Sequence, residues 1–313
     1  METTATAPWA LILAGGDGTR LSSLTRQVCG DPRPKQFSPL LEGGETLLQR
    51  TRRRADLLSR DDHQVVVVTR HHEPYYRSLT RELAPGRLVV QPSNRGTAPG
   101  LLYPLLRIAE LAGDVPLAVL PSDHVVDDDA AFAAAIATAL DAPSTRAGRV
   151  VLLGIEAGSA ETEYGWIEPD TQQALVDGDA VMPIRRFWEK PSPELAGTLL
   201  SRGCLWNSFV MVGRVSSFIE LIGAGTPALV WAMAPLRRAL GTAREAEVAE
   251  RVYASLPDLN FSERVLVPAA ERLGVMRVKG VEWSDWGNAG RVLATLRRTG
   301  WRPAWLSRVA LAS

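Results

Sequence analysis

The chain has 313 residues, with 35 Lys plus Arg against 35 Asp plus Glu and a formal net charge of zero. At about 150 residues per domain, this predicts two domains or one large α/β domain, able to bury a core without disulfides or a structural metal. Zero net charge argues against a general polyanion binder, and a hydrophobic fraction of 46% with 22% charged residues argues against global disorder. Two cysteines, Cys29 and Cys204, and four histidines, His63, His71, His72 and His124, make no zinc spacing. The N-terminus lacks the features of a signal peptide, and no apolar run reaches the ~18 residues of a membrane helix. The expectation is a reduced, cytoplasmic, soluble protein without nucleic-acid or membrane partners; homo-oligomerisation is left open.

Trp9–Leu13 (WALIL) is short, apolar and followed by Ala-Gly-Gly, which predicts a buried strand. Residues 46–59 have helical spacing, with Leu47, Leu48, Ala55 and Leu58 near one face. Gln64–Thr69 is a second buried strand, rich in β-branched residues. A short helix over 74–83, a third strand over 87–91, a helix over 97–111 and a fourth strand over 116–120 follow. A helix over 129–140, whose acidic start suits the helix dipole, and a fifth strand over 150–155 close the series. Strands this apolar, separated by helices, predict a parallel sheet covered on both faces, with the ligand beyond the carboxyl ends of the strands. Functional residues are therefore expected after Leu13, Thr69, Gln91 and Leu120. From about 164 the pattern changes: 164–169 and 182–188 read as an antiparallel pair, and 205–213 as a further strand. The remainder to 298 is mostly helical, interrupted at 275–279 and 282–286, and the residues from 301 are unassigned.

The junction after the first strand reads Leu13-Ala14-Gly15-Gly16-Asp17-Gly18-Thr19-Arg20-Leu21. Its glycines permit positive φ and a nest of backbone donors for phosphate oxygens, and Arg20 adds a bidentate cation. Arg26, Arg33 and Lys35 follow. The loop lacks the Gly-Lys-Ser/Thr ending of a Walker A motif and departs from G-x-G-x-x-G, which disfavours a nicotinamide cofactor. His71 and His72, being adjacent, are expected to point in different directions and are read as loop. The acidic run 127–129 is read as a solvated helix start, and His124 as a residue that orients its turn.

LAGGDGTRL followed by Pro34-Lys35-Gln36-Phe37 resembles the signature of the sugar-1-phosphate nucleotidylyltransferases, most closely the mannose-1-phosphate guanylyltransferase branch. The resemblance continues in order through Asn94-Arg95-Gly96-Thr97-Ala98-Pro99, Pro121-Ser122-Asp123-His124 and Glu163-Tyr164-Gly165-Trp166-Ile167. It ends with Phe187-Trp188-Glu189-Lys190-Pro191, Leu205-Trp206-Asn207-Ser208 and Trp283-Ser284-Asp285-Trp286-Gly287. The implied fold is Rossmann-like α/β: a mixed, mainly parallel sheet flanked by helices, of the nucleotide-diphospho-sugar transferase type, with a smaller antiparallel and helical C-terminal part. The implied organisation is a catalytic domain over 1–298, with a nucleotide-binding half (1–160) and a sugar-binding half (161–298), and a tail at 299–313.

The resemblance implies transfer of a nucleotidyl group from an NTP to a sugar 1-phosphate, with GTP and α-D-mannose 1-phosphate giving GDP-mannose and pyrophosphate. Two anions approach, so charge must be neutralised and the groups aligned. Arg20, Lys35 and Asp123 are the implied catalytic residues. Leu13, Ala14, Gly15, Gly16, Gly18, Thr19, Arg20, Asn94, Thr97 and Ser122 are implied for the nucleotide. Gly165, Glu189, Lys190 and Asn207 are implied for the sugar phosphate. Asp123 and Asp285 are the implied ligands of Mg²⁺ or another divalent cation, which takes hard oxygen donors. Ser22-Ser23-Leu24-Thr25-Arg26 stands where the family usually has Trp-Pro-Leu-Ser-Arg. Phe209 and Glu163 each stand where it has glycine, and Gly96 where Asn is commoner. These departures leave the phosphate and metal positions intact but leave sugar epimer and base open. The alternatives are another pair, such as dTTP or UTP with glucose 1-phosphate, or a non-catalytic nucleotide-sugar-binding subunit.

Overall fold

Alternation along the central strands sets the architecture. In β1 (Trp9–Leu13), Leu11 belongs to one apolar cluster while Ala10 and Ile12 belong to another. The same split recurs in β2 (Gln64–Thr69), with Val65 and Val67 in the first cluster and Val66 and Val68 in the second. Strands buried on both faces need a helical layer on each side. Helices Thr97–Ala112, Val215–Gly225 and Pro227–Ala239 contribute to the first cluster, and Leu47–Asp56 and Asp129–Asp141 to the second. The computed structural model describes residues 7–171 and 180–310. No helix among them is long and apolar enough to cross a membrane.

The remaining strands are β3 (Leu88–Gln91), β4 (Pro116–Pro121), β5 (Val125–Val126), β6 (Val151–Glu156), β7 (Gly165–Pro169), β8 (Val181–Glu189), β9 (Leu205–Arg214), β10 (Gly274–Val278) and β11 (Trp283–Ser284). Nine strands form one sheet in the order β3-β2-β1-β4-β9-β6-β10-β8-β7. Only β8 and β9 run against the other strands, so the sheet is mixed and mainly parallel in direction, as expected. One expectation changes. The fifth strand, β6, does not continue the parallel series beside β4, because β9 lies antiparallel between them. At ten residues β9 is long enough to pair with β4 through 211–214 and with β7 through 205–206. That second pairing closes β9, β6, β10, β8 and β7 into a ring. Gly154 permits the crowding at the β6 irregularity, where a Cβ would lie 2.7 Å from Leu205 and 2.8 Å from Val275.

Local chemistry explains the other boundaries. Helix Leu47–Asp56 begins at a reciprocal cap: Gln49 N donates to Thr46 Oγ1 at 3.1 Å, and Thr46 N donates to Gln49 Oε1 at 2.9 Å. The helix expected over 74–83 is two short turns, Glu73–Tyr76 and Leu79–Glu82. A helix over Ser22–Cys29, absent from the sequence reading, buries only Leu24 and Thr25, too few apolar positions to give a period. Of the unassigned C-terminal residues, those up to 310 are described and pack against the fold: Trp305 is buried and its indole donates to Leu40 O at 2.9 Å. The Arg50 guanidinium lies 4.5 Å from the Trp301 ring centre. In the acidic run at 127–129, Asp127 and Asp128 are exposed at the helix start, as read, and only Asp129 is built in. Asp128 caps its helix by accepting from Ala131 N, and Asp129 pairs with Arg50 at 2.7 Å and with buried Arg54 at 2.6 Å. Burial of Arg54 explains this outcome, since a guanidinium withdrawn from water requires a carboxylate partner.

Candidate active site

The carboxyl ends of β1 and β4 open into a cleft of about 310 Å³. Leu13, Gly15, Gly16, Arg20, Thr97 and Asp123 line it from the first half of the chain. Gly165, Glu189, Lys190, Asn207 and Asp285 line it from the second. These eleven of the residues singled out in the sequence, separated by up to 272 positions, therefore share one concavity. A larger hollow of about 810 Å³ lies elsewhere, between Glu168, Arg186, Arg202 and Arg277, and contains none of them.

The glycine loop is held by its carbonyls. Gln36 Nε2 donates to Ala14 O at 3.2 Å and to Gly16 O at 2.7 Å, and Thr69 Oγ1 donates to Gly15 O at 2.8 Å. Three acceptors that would repel an entering anion are thereby occupied. Gly15 sits against Gln91, where a Cβ would come within 2.6 Å of the amide nitrogen. Gly18 has φ 61° and opens the turn Thr19–Leu21, so Thr19 and Arg20 leave the loop at a position that favours glycine. Ala14 is buried beneath the loop. Ser122 is buried too, and its hydroxyl donates to Leu13 O at 2.7 Å, which fastens the end of β4 to that of β1.

Lys35 is buried, yet its ammonium reaches three groups. It lies 3.2 Å from Asp123 Oδ2 and donates to the carbonyls of Asp285 and Trp286. It thus joins the turn after β4 to the segment after β11. Burial pushes the Asp123 carboxyl up, but Lys35 and His124 more than offset this and hold it below the usual carboxylate range. Burial depresses His124, which packs edge-on to Trp283 at 5.1 Å. Arg33 does not reach this group; it forks onto Asp31 at 2.6–2.8 Å.

Asp285 is the most heavily bonded carboxylate of the cleft. It accepts from Tyr164 Oη at 3.2 Å, Gly287 N at 2.8 Å and Arg291 Nη1 at 3.0 Å, and Arg20 lies 3.8 Å away. Arg291 went unnoticed in the sequence reading. It also pairs with Glu161 at 2.6 Å and Glu163 at 3.2 Å, and lies 4.4 Å from the Tyr164 ring centre. No motif marks it; the only signal is its place in the first turn of helix Ala289–Thr299, six positions after Asp285. Glu163, the substitution for glycine, also receives Arg20 at 3.2 Å.

The opposite wall begins where Gly165 pairs with Glu189 across β7 and β8. A Cβ on Gly165 would meet Phe187 at 2.9 Å, Glu189 Oε2 at 3.1 Å and Asn207 Cβ at 3.3 Å. Burial raises the Glu189 carboxyl, opposed in part by Lys190, whose ammonium lies 3.9 Å away. Asn207 Oδ1 accepts from Phe209 N at 3.0 Å, so the turn itself uses that oxygen. Thr97 Oγ1 accepts from Phe261 N at 2.8 Å. Trp206 and Trp283 both pack edge-on to Tyr164 at 5.1 Å.

Among the described residues, three non-glycine residues have positive φ, all around this cleft: Lys190 (47°), Phe209 (59°) and Trp286 (46°). Such strain gathers where surrounding structure imposes it. Phe209 occupies the position where the resembled family carries glycine. A variant Phe209→Gly is therefore expected to be about 1 kcal/mol more stable than Phe209→Ala, the reverse of the usual order, in urea midpoints. Equal midpoints, or alanine ahead, would show that the backbone relaxes from this conformation.

One reading is corrected. His71 and His72 do not diverge: both Nε2 atoms approach Asp17 Oδ1, at 2.9 and 3.3 Å. The turn Arg70–His72 folds the two rings to 3.9 Å between centres, which brings their tips together. Asn94 Nδ2 donates to the other Asp17 oxygen at 2.9 Å.

Comparison with known proteins bears on the family and the fold. A family model described as Nucleotidyl transferase matches residues 9–292. The xanthan biosynthesis protein XanB of Xanthomonas campestris pv. campestris (strain B100) is 32% identical over 296 residues, covering 93% of this chain and 60% of XanB. The mannose-1-phosphate guanylyltransferase of Escherichia coli K12 is 28% identical over 286 residues, covering 90% of this chain and 58% of its own length. This chain thus spans about 60% of the length of these two relatives. The crystal structure of mannose-1-phosphate geranyltransferase from Thermus thermophilus superposes with a TM-score of 0.77 at 32% identity, covering 92% of this chain and 80% of that one. With a family match across nearly the whole described fold and a relative at that identity, the chain belongs to the nucleotidyl transferase family.

Proposed function

We propose that this protein transfers a nucleotidyl group from an NTP to a sugar 1-phosphate, with GTP and α-D-mannose 1-phosphate as the pair. The observation that carries this reading is the single cleft, in which the glycine loop with Arg20 and Asp123 faces Glu189, Lys190, Asn207 and Asp285. A phosphate oxygen of the sugar phosphate attacks the α-phosphorus of the nucleotide, and pyrophosphate leaves. The sugar phosphate is itself the nucleophile, so no covalent enzyme intermediate is needed. In this reading Gly15, Gly16 and Gly18 shape the phosphate seat, and Arg20 and Lys35 offset the charge that builds there. Asn94 and Thr97 lie at the β3 side for base or ribose. Glu189 and Asn207 hydrogen-bond sugar hydroxyls, and Lys190 meets the sugar phosphate.

The donor set fits a divalent cation: two carboxylates line the cleft, and Asp123 is held ionised beside Lys35. Asp123 and Asp285 would hold Mg²⁺, which would supply positive charge to the phosphates. The similarity to mannose-1-phosphate guanylyltransferases favours mannose 1-phosphate, and the Pro-Lys-Gln-Phe segment favours the guanylyl pair.

The test is pyrophosphate release with Mg²⁺ across GTP, dTTP, UTP, CTP and ATP against mannose, glucose, galactose and fucose 1-phosphates. Signal confined to GTP with mannose 1-phosphate is expected. A different active pair would replace the substrate assignment. A blank grid from folded protein that still binds GDP-mannose would make it a non-catalytic subunit. Within the same assay, Gly165→Ala is expected to raise KM for the sugar phosphate about tenfold or more, since its methyl would press on Phe187 and, less closely, on Glu189 and Asn207. An unchanged KM would remove Glu189 and Asn207 from the sugar pocket.

A further inference from the structure

Three loops at the carboxyl ends of adjacent parallel strands converge on one carboxylate. Asp17 comes from the glycine loop after β1, His71 and His72 from the turn after β2, and Asn94 from the segment after β3. One donor atom from each of Asp17, His71 and His72 lies within 4.8 Å of the other two. The short separations of 2.9 and 3.3 Å suggest hydrogen bonds, yet the ring geometry does not make them: Asp17 Oδ1 is buried with no hydrogen-bond partner among the described residues. A buried anionic oxygen left without a donor beside two imidazole nitrogens is costly as a hydrogen-bonding arrangement. Three donor atoms this close together suit one shared cation.

The surroundings hold these donors in place. Asn94 Nδ2 fixes the other Asp17 oxygen at 2.9 Å. The Phe37 ring packs edge-on to buried His72 at 5.8 Å, which restricts that imidazole. His71 is exposed and gives access from solvent. Two imidazole nitrogens and one carboxylate oxygen form a borderline ligand set. It favours Zn²⁺, Co²⁺ or Ni²⁺ over Mg²⁺, which prefers oxygen donors alone.

We propose that Asp17, His71 and His72 bind one borderline divalent cation of the Zn²⁺ type, at a site separate from the Asp123 and Asp285 pair. Three protein ligands leave a further position for water or another donor. The ion would tie the glycine loop to the turn after β2, restraining the segment that carries Gly15, Gly16 and Gly18.

The test uses the full chain, stripped with a chelator and then titrated calorimetrically with Zn²⁺ in millimolar Mg²⁺, which masks oxygen-only sites. Wild-type protein is expected to bind one Zn²⁺ per chain and to melt at a higher temperature when loaded. His71→Ala replaces an exposed side chain and retains the fold; it is expected to weaken Zn²⁺ at least about tenfold, and Asp17→Asn to do the same. Loading with Co²⁺ is expected to give visible absorption in the wild type that both variants lose. No Zn²⁺ bound by the wild type under Mg²⁺ would overturn the proposal. Equal affinity and stoichiometry in the wild type and both variants would overturn it as well.

Discussion

Lys35→Ala is expected to lower turnover by about 10²–10³-fold or more, with the fold retained. The ammonium is buried, 3.2 Å from Asp123, and also bonds the main chain at Asp285 and Trp286. Its loss removes a fixed positive charge from the cleft and unties the two segments that carry the acidic pair. The fold persists because Asp123 reaches solvent and can be hydrated once its partner is gone. The pH dependence gives an independent readout. Lys35 helps hold Asp123 below its ordinary pKa, so the associated stability is present above the unfolded carboxylate value, about 3.9, and fades as pH falls through the folded value. In Lys35→Ala that contribution disappears, so the variant should lose less stability than the wild type on acidification. Near-normal pyrophosphate release by the variant would remove Lys35 from the mechanism.

Arg291→Ala is expected to produce the largest loss of stability, about 3–5 kcal/mol, because it strips a largely buried cation from several carboxylates at once. Asp285, Glu161 and Glu163 each lie within 3.2 Å of that guanidinium, and the Tyr164 ring packs against it. Without it, the Asp285 carboxylate keeps a single ion-pair partner among the described residues, Arg20 at 3.8 Å, in a half-enclosed position. For a chain of this size each kcal/mol moves Tm by roughly 2–4 °C, so a fall of about 10 °C is expected by calorimetry. Turnover should fall as well, since Asp285 would no longer be oriented by its fork. A Tm within a degree or two of wild type would show that the carboxylates rehydrate freely and that the cluster is a solvated surface network.

Much of the candidate cleft could be read from the residues alone. The runs WALIL and QVVVVT are apolar throughout, so they had to be strands covered on both faces, and the segments that follow them had to be loops at one edge of the sheet. Gly18 at positive φ and Gly15 pressed against Gln91 give the physical reasons for two of the glycines in the first motif. Other features left no local trace. The insertion of β9 between β4 and β6 depends on a strand long enough to pair on both edges. The hydrophobic pattern of 205–213 states that it is a strand but not which neighbours it takes.

Side-chain direction was the other gap. Adjacent histidines on a regular strand would diverge, but the turn at Arg70–His72 brings their tips to one carboxylate. Arg291 carries no motif, and its role appears only when Asp285, Glu161 and Glu163 arrive from distant positions. The sequence by itself determined the α/β class, the strands and the positions of the loops that build the cleft, because local apolar periodicity and glycine conformations are short-range properties. Only the tertiary structure decided the strand order, the partners of each charge and the convergence of Asp17, His71 and His72, because those depend on contacts between segments far apart in the chain.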